Sequence, residues 1–295
     1  MKNSLKADIM LLVVTLCWGI SYILIDVCVA EINPLALNAI RFLTAFIVAY
    51  ICAFPKMRKV SRETIKYAFY ISITLFLVYT SVTYGVKYTS LSNCGFLCAL
   101  STVFTPIVGF FIYKKHPEKK IIPVVIICTI GIGLVSLDSH FKPALGDILC
   151  ILCAFAYAFD LQITENAVKK PEVDAFQLGV IQLGFVGLYM LAANLIIPGM
   201  AQTLIPHSGK VWAAAMFLAI FCTGLSFIVQ AVAQQYTSAN HVGVIYALEP
   251  VFSGIAAFFI AGEILLPRAY VGAVLMIASL FIMEIDWPRK KELNC

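Results

Sequence analysis

The chain carries one stretch twice, as YTSLSNCGFLCALSTVFTPIVGFFI at 88–112 and as YTSANHVGVIYALEPVFSGIAAFFI at 236–260. The two copies align without a gap at a shift of 148 residues, and about half of the aligned positions are identical. Two apolar helices that are matched only by composition do not share that many residues, so the pattern indicates an internal duplication. We therefore expect the chain to consist of two related halves.

Each copy lies in a sequence that is too apolar for a water-soluble fold. Of 295 residues, 61% are hydrophobic and 13% are charged, whereas soluble domains are about 45–50% apolar and about 25% charged. The apolar residues form runs of about 20, the length that a helix needs to cross a bilayer core of about 30 Å. We predict ten transmembrane helices, at 8–28, 35–54, 67–86, 91–113, 121–138, 145–164, 175–197, 211–235, 239–261 and 268–286.

The duplication divides these ten spans into two five-helix repeats, at 8–138 and 145–286. Five is an odd number of crossings, so the second repeat must start on the opposite side of the membrane and have the inverted orientation. Secondary transporters commonly place a solute site between such inverted repeats, near the middle of the bilayer. The predicted fold is an all-α integral membrane protein around a central cavity. A channel or a lipid-handling protein without alternating access is the alternative.

Positive charge is concentrated on one side of the predicted spans. If the N-terminus is cytoplasmic, about sixteen Lys and Arg residues lie in inner segments and about four in outer ones. The positive-inside rule then places both termini in the cytoplasm. The formal charge of +5 is spread over these connections, so we expect no nucleic-acid partner. We expect a monomer whose partners are a small-molecule solute and the lipid bilayer.

The ten cysteines lie mostly inside apolar runs, where a thiol acts as a small hydrophobic group. Cys150 and Cys153 have a CxxC spacing, but the sequence shows no second pair or histidine beside them. We expect helix packing here, with no metal and no cofactor. The chain also lacks HExxH, GxSxG and Walker-type motifs, so we do not expect an enzyme. An intramembrane dyad of Asp26 and Asp160 is the enzyme alternative.

Charged residues inside the spans are candidates for charge or proton coupling, because each costs about 2.5–3.5 kcal/mol at a helix centre. Glu249 lies halfway along the ninth span, before Pro250, which disrupts the helix. It either binds a solute amine or a proton, or fixes helix packing. Arg41 either recognises a solute carboxylate or forms a structural pair. Asp160 is expected to accept an interior hydrogen bond.

Aromatic and amide side chains in the spans are typical of a pocket for an organic solute rather than for a bare ion. Some of them share a helix face, as Tyr246 does with Glu249 and as Gln230 does with Gln234. The predicted solute-binding residues are Trp18, Tyr22, Tyr79, Asn93, Tyr157, Gln230, Tyr246 and Glu249.

Three motifs resemble the EamA-type branch of the drug/metabolite transporter superfamily. They are Cys17-Trp18-Gly19, Arg41-Phe42 and the stretch from Ala247-Leu248-Glu249-Pro250-Val251-Phe252 to Gly262-Glu263. The resemblance implies ten helices around a central cavity and alternating access. It also implies export of amino acids or other small metabolites across a bacterial inner membrane, without ATP hydrolysis by the protein.

Overall fold

The computed structural model describes residues 2–114, 119, 121–136, 144–197, 205–261 and 267–284. Within these ranges every regular element is a helix. The helices are α1 Lys2–Val29, α2 Pro34–Cys52, α3 Phe54–Met57, α4 Arg62–Tyr88, α5 Leu91–Ala99, α6 Ser101–Tyr113, α7 Ile121–Ser136, α8 Leu145–Val168, α9 Ala175–Ile196, α10 Gly209–Ala219, α11 Ser226–Ala233, α12 Ala239–Tyr246, α13 Glu249–Ala261 and α14 Pro267–Glu284. A π-helical segment, Ile220–Leu225, joins α10 to α11.

Seven helical stretches of the described chain are long and apolar enough to cross a membrane. They are Ser4–Val29, Pro34–Cys52, Arg62–Tyr88, Cys94–Tyr113, Leu145–Val168, Ala175–Ile196 and Gly209–Ala233. Two shorter apolar helices, Ile121–Leu134 and Pro267–Met283, coincide with the predicted fifth and tenth spans, which extend beyond the described residues. The predicted ninth span consists of two helices, α12 and α13. The chain is thus a multi-pass membrane protein, while the count of ten crossings stays a prediction.

Side chains in the connections define where the helices begin. Asn33 Oδ1 accepts a hydrogen bond from the Ala36 N–H, and Pro34 occupies the first helical position of α2. Ser238 Oγ accepts a hydrogen bond from the His241 N–H at the start of α12. A cap of this kind contributes about 1 kcal/mol, because the first N–H groups of a helix have no partner within it.

Two helices are interrupted at equivalent positions of the duplication. Between α5 and α6, the Leu100 N–H bonds the carbonyl of Leu97 at 3.3 Å; between α12 and α13, the Leu248 N–H bonds the carbonyl of Ile245 at 3.1 Å. Both donors and both acceptors are 148 residues apart. These tight turns replace one turn of α-helix. In the second break, Pro250 also lacks the N–H that would bond the carbonyl four residues before it.

Helices at equivalent positions of the two halves pack on each other. Helix α2 packs on α9, α7 packs on α14, and the broken pairs cross so that α5 contacts α13 and α6 contacts α12. At this crossing the Thr102 hydroxyl donates to the carbonyl of Gly243 at 2.7 Å. Two repeats that are related by a two-fold axis would make such an exchange of contacts. It brings both breaks to the centre of the molecule.

Helix α1 lies against the second break. Gly19 is the contact point, because a Cβ atom added there would lie 2.7 Å from Phe252 Cβ and 2.9 Å from the backbone nitrogen of Ser253. A glycine is therefore required for α1 to approach α13 this closely. The close approach positions Trp18 and Tyr22 of α1 beside Glu249 of α13, where all three line one cavity.

Candidate functional site

A cavity lies among α1, α2, α4, α8, α11 and the two broken helices. The centres of water molecules can occupy a volume of about 70 Å³ in this cavity. One buried water needs ~10–15 Å³ by the same measure. The cavity therefore holds several waters or part of a small solute. Its aromatic walls are Trp18, Tyr22, Tyr79, Tyr157, Phe227 and Tyr246.

Trp18 lies at the centre of the aromatic walls. Its ring centroid is 4.7 Å from that of Tyr246, 5.8 Å from that of Phe227 and 5.9 Å from that of Tyr157, in tilted or edge-on arrangements that aromatic pairs prefer. The indole Nε1–H donates to the carbonyl of Cys222 at 2.8 Å, which satisfies its polar atom. Trp18 thus joins α1, α8, α11 and α12 at one point.

A hydrogen-bonded chain of polar side chains extends from the cavity wall into the helix packing. Gln230 Oε1 accepts from the hydroxyls of Tyr157 at 2.6 Å and Tyr246 at 3.3 Å, and Gln230 Nε2 donates to Asp160 Oδ2 at 3.2 Å. Thr74 Oγ1 lies 3.2 Å from the other carboxyl oxygen of Asp160. Asp160 is 1% exposed, and it therefore lies behind the tyrosines. Its predicted interior hydrogen bond is present.

Arg41 contributes a buried cation to the cavity wall. Its Nε and Nη2 donate to Thr223 Oγ1 at 3.2 and 3.1 Å, and its guanidinium carbon lies 5.0 Å from the ring centroid of Tyr79. The side chain is 1% exposed, and Nη1 has no hydrogen-bond partner. Within the described ranges no carboxylate pairs with it. The guanidinium therefore retains one buried N–H donor that has no partner among the described residues.

Glu249 is the first residue of α13 and also lines the cavity. Tyr22 of α1 lines the same cavity. A negative charge in the first turn interacts favourably with the helix dipole. The break before Glu249 therefore has two effects, since it turns the carboxylate toward the cavity and creates the helix end that stabilises it.

The structure brings most of the sequence-predicted residues together. Six of the eight predicted solute-binding residues line the cavity, as does Arg41. Gln230 bonds two of the lining tyrosines, and the side chain of Asn93 lies outside the described part of the chain. The Gly262-Glu263 end of the family motif is outside it as well. Asp26 is exposed on α1, whereas Asp160 is buried, so the alternative of an aspartyl dyad has no support in this arrangement.

Sequence reasoning missed Phe227 and Thr223, which lie on one face of the helical stretch that also carries Gln230. Phe227 follows Thr223 by four residues and Gln230 follows Phe227 by three, a spacing that places all three on one face of a helix. The π-helical segment moves Thr223 into place, because its hydroxyl donates to the carbonyl of Leu218, five residues before it, at 2.8 Å. Wide turns of this kind are frequent at functional sites. Here the turn positions the oxygen that holds Arg41.

A second cluster lies beside the cavity and corrects the sequence-based interpretation of the cysteines. Cys94 and Cys98 of α5 form the second pair that was not apparent beside Cys150 and Cys153 of α8. The Sγ atoms of Cys94 and Cys150 are 3.2 Å apart, and those of Cys94, Cys98 and Cys150 all lie within 4.8 Å of one another. The pair was missed because α5 and α8 are distant in sequence and meet only in the fold.

Comparison with known proteins identifies the family to which the chain is similar. The sequence profile of the EamA-like transporter family matches residues 5–137 and 144–285. An uncharacterized transporter of Archaeoglobus fulgidus is 27% identical over 95% of this chain and 86% of its own length. A probable amino-acid metabolite efflux pump of Salmonella typhimurium is 24% identical over 95% of both chains, and one of Escherichia coli is 23% identical over the same shares.

The fold has a counterpart among solved structures. One crystal structure, whose name gives no function, superposes with a TM-score of 0.76 and covers 95% of this chain and 96% of its own. The two sequences are 14% identical, so this likeness concerns the fold alone.

Proposed function

The chain belongs to the EamA-like transporter family and is a multi-pass membrane transporter, and from this premise we propose that it exports amino acids or related small organic metabolites by alternating access. The observation that carries the proposal is an internal cavity with aromatic walls, one available guanidinium donor and one carboxylate. An apolar pocket with a few convergent polar groups is the usual site for a small organic solute. The relatives that are named for amino-acid metabolite efflux support this solute class.

The two charges of the wall suit a zwitterionic solute. A carboxylate of the solute would accept from Arg41 Nη1, the donor that has no protein partner. Its ammonium group would approach Glu249 and the faces of the surrounding rings, because both attract cations. An apolar side chain would occupy the aromatic part of the cavity. Thr223 and Tyr79 hold the guanidinium in position without neutralising it.

The transport is either proton-linked or facilitative, and the carboxylic acids are the candidates for coupling. Glu249 faces the cavity, and Asp160 is connected to it through Gln230 and the two tyrosines. A proton that binds to either carboxyl group would change its hydrogen bonds and the charge that a solute meets. Both groups lie within helices that change partners when the cavity opens to one side, which is the arrangement that coupling requires.

We further propose that the protein resides in a bacterial inner membrane as a monomer, with both termini in the cytoplasm. The excess of Lys and Arg in every second connection supports this orientation. The described connections are short, so the solute site has to lie within the membrane-spanning part of the molecule.

A thermal-shift screen of the purified protein in detergent tests the proposed solute class. The panel contains amino acids, nucleosides, vitamins and cationic drugs. A ligand that binds only the folded state stabilises it by RT ln(1 + [L]/Kd), about 2.7 kcal/mol at a hundredfold excess over Kd. We expect a saturable shift with one or a few amino acids. A flat response to all amino acids, with a shift for another class, contradicts the amino-acid assignment.

A further inference from the structure

We propose that Cys94, Cys98, Cys150 and Cys153 form a binding site for one divalent thiophilic metal ion, of the Zn²⁺ and Cd²⁺ class. This site adjoins the proposed solute cavity, and its existence does not depend on the solute assignment. It lies between α5, which ends at the first helix break, and α8, which carries Tyr157 and Asp160.

The four thiols meet because of their helical spacing. Cys94 and Cys98 are four residues apart on α5, and Cys150 and Cys153 are three apart on α8, so each pair shares one face of its helix. The two helices pack with these faces together. Cys94, Cys98 and Cys150 are within 4.8 Å of one another at their sulfur atoms, and Cys98 and Cys153 line the same cavity.

The sulfur spacing fits a tetrahedral thiolate site. Zinc binds thiolate sulfur at about 2.3 Å, which places the sulfur atoms of a tetrahedron about 3.8 Å apart. The observed separations, from 3.2 Å between Cys94 and Cys150 to less than 4.8 Å across the three, span this value. Three of the four sulfur atoms therefore already lie close to the positions of such a site, and Cys153, one turn from Cys150 on α8, would supply the fourth.

Charge balance in the membrane interior favours a divalent ion. The metal ligand is the thiolate, so each thiol that forms an M–S bond loses its proton when the ion binds. The two positive charges of the ion offset two of these thiolates, which lowers the cost of their charge in a medium of low polarity. Soft sulfur ligands select Zn²⁺ and Cd²⁺ over Mg²⁺ and Ca²⁺.

The site is enclosed on one side and reached from the other. A Cβ atom added at Gly85 of α4 would lie 2.6 Å from Cys150 Sγ, so α4 closes directly over this thiol. Cys98 and Cys153 line the central cavity. An ion and the released protons can therefore pass between the site and the cavity. Cys94 and Cys150 are 0% exposed and form its inner end.

A bound ion would connect α5 to α8 by metal–sulfur bonds. Both helices line the cavity, and alternating access moves helix groups relative to one another. We therefore expect the ion to arrest transport until it is removed by a chelator. The cluster would make the transporter sensitive to heavy-metal ions.

Cadmium binding to the purified, reduced protein tests the site and needs no solute. The protein is incubated with Cd²⁺, passed over a chelating resin and analysed for bound metal, sulfur-to-cadmium charge-transfer absorption and proton release. We expect an equimolar amount of retained Cd²⁺ and the release of one proton for each thiol that becomes a ligand. The double variant Cys94→Ser/Cys150→Ser should bind at least about a hundredfold more weakly, since even an outer-shell partner contributes 10- to 100-fold.

Two further variants make the experiment decisive. Cys28→Ser/Cys128→Ser removes two buried thiols outside the cluster, and it should retain Cd²⁺ as the native chain does. Cys98→Ala/Cys153→Ala removes the cavity-facing pair and replaces the first variant if that one does not fold. If the native chain retains no more Cd²⁺ than the cluster variants, the four thiols only pack and the proposal is wrong.

Discussion

Arg41 is 1% exposed and yet has no carboxylate partner among the residues that the structure describes. A buried charge without a counter-ion costs several kcal/mol, so such groups are normally paired. Thr223 and the Tyr79 ring offset part of this cost. The remaining donor, Nη1, is best satisfied by an anionic group of a solute, and a carboxylate is the anion that a guanidinium binds best.

The first prediction concerns the planar shape of Arg41. In Arg41→Lys the charge remains, but a single ammonium group cannot bond Thr223 twice and also reach a solute carboxylate. A charge-assisted hydrogen bond contributes about 1.5–3 kcal/mol, so we expect the affinity for the solute to fall by about tenfold or more. Solute titration by thermal shift, followed by counterflow in proteoliposomes, measures the change.

Arg58→Lys is the matched control, because Arg58 lies at the end of the short helix α3, outside the cavity. It should bind the solute like the native chain. If Arg41→Lys keeps native affinity while its folded fraction is unchanged, Arg41 has a structural role and the carboxylate assignment is wrong.

A second prediction separates the two buried carboxylic acids. Glu249→Gln and Asp160→Asn keep the shape of each side chain and remove its ability to exchange a proton. If transport is proton-linked, one of the two variants should transport the solute at a rate that no longer varies with pH between 5 and 8. Counterflow measured across this range identifies which one. Native pH dependence in both variants excludes both groups as the coupling site.

The sequence selected residues that are unusual inside a membrane, and the structure places most of them around one cavity. Glu249, Arg41 and the tyrosines stand out because charge and phenol groups are costly or rare there. Thr223 and Phe227 do not stand out, since neutral and apolar residues fill every span. Their roles arise from the π-helical turn and from the packing of α11, neither of which a periodic pattern determines.

At the scale of the helix, the two breaks are the features that create the site. Each interrupts a predicted span near its middle, and Ala99, Ser101 and Glu249 beside the breaks line the cavity. The sequence indicated a disruption at Pro250, but it predicted continuous spans at 91–113 and 239–261. The interruption at Leu100 has no proline in its first turn, so only the three-dimensional structure reveals it.

A third prediction tests the close approach of α1 to α13. In Gly19→Ala the added methyl group would lie 2.9 Å or less from atoms of Phe252 and Ser253, so the helices must separate. We expect a loss of about 1–3 kcal/mol in stability, as is typical of overpacking. Thermal unfolding in detergent, at one ionic strength and detergent concentration, measures it.

Gly95→Ala is the control for helix propensity. Gly95 is also inside a helix, but the nearest atom to an added Cβ atom there is 4.0 Å away, so the substitution should be neutral or stabilising by up to about 1 kcal/mol. Equal unfolding temperatures for the two variants would contradict the packing of α1 on α13.

At the scale of the molecule, helices of the two halves exchange equivalent contacts around the cavity. Helix α2 on α9 and α7 on α14 are such pairs. The sequence predicts a duplication from identical residues in one stretch, and the two helix breaks lie at positions 148 residues apart. Composition and run length were sufficient for a membrane fold. The predicted number of crossings depends on segments around 137–143 and 262–266, which lie outside the described residues.

A fourth prediction concerns orientation. In the predicted ten-span arrangement, Lys and Arg residues are concentrated in connections on the side of the termini. A reporter that works only in the cytoplasm should therefore be active when it is fused to either terminus. Paired fusions of a cytoplasmic and a periplasmic reporter measure this. Termini on opposite sides would require an odd number of crossings and would contradict the ten-span arrangement.

The central claim is that the cavity is the solute site of a carrier, and counterflow in proteoliposomes tests it most directly. Vesicles loaded with unlabelled amino acid are diluted into the labelled one. We predict transient, saturable accumulation of label that the unlabelled solute inside accelerates and that Arg41→Lys weakens. Flux that does not saturate and does not depend on solute inside the vesicles would indicate a channel and contradict the account.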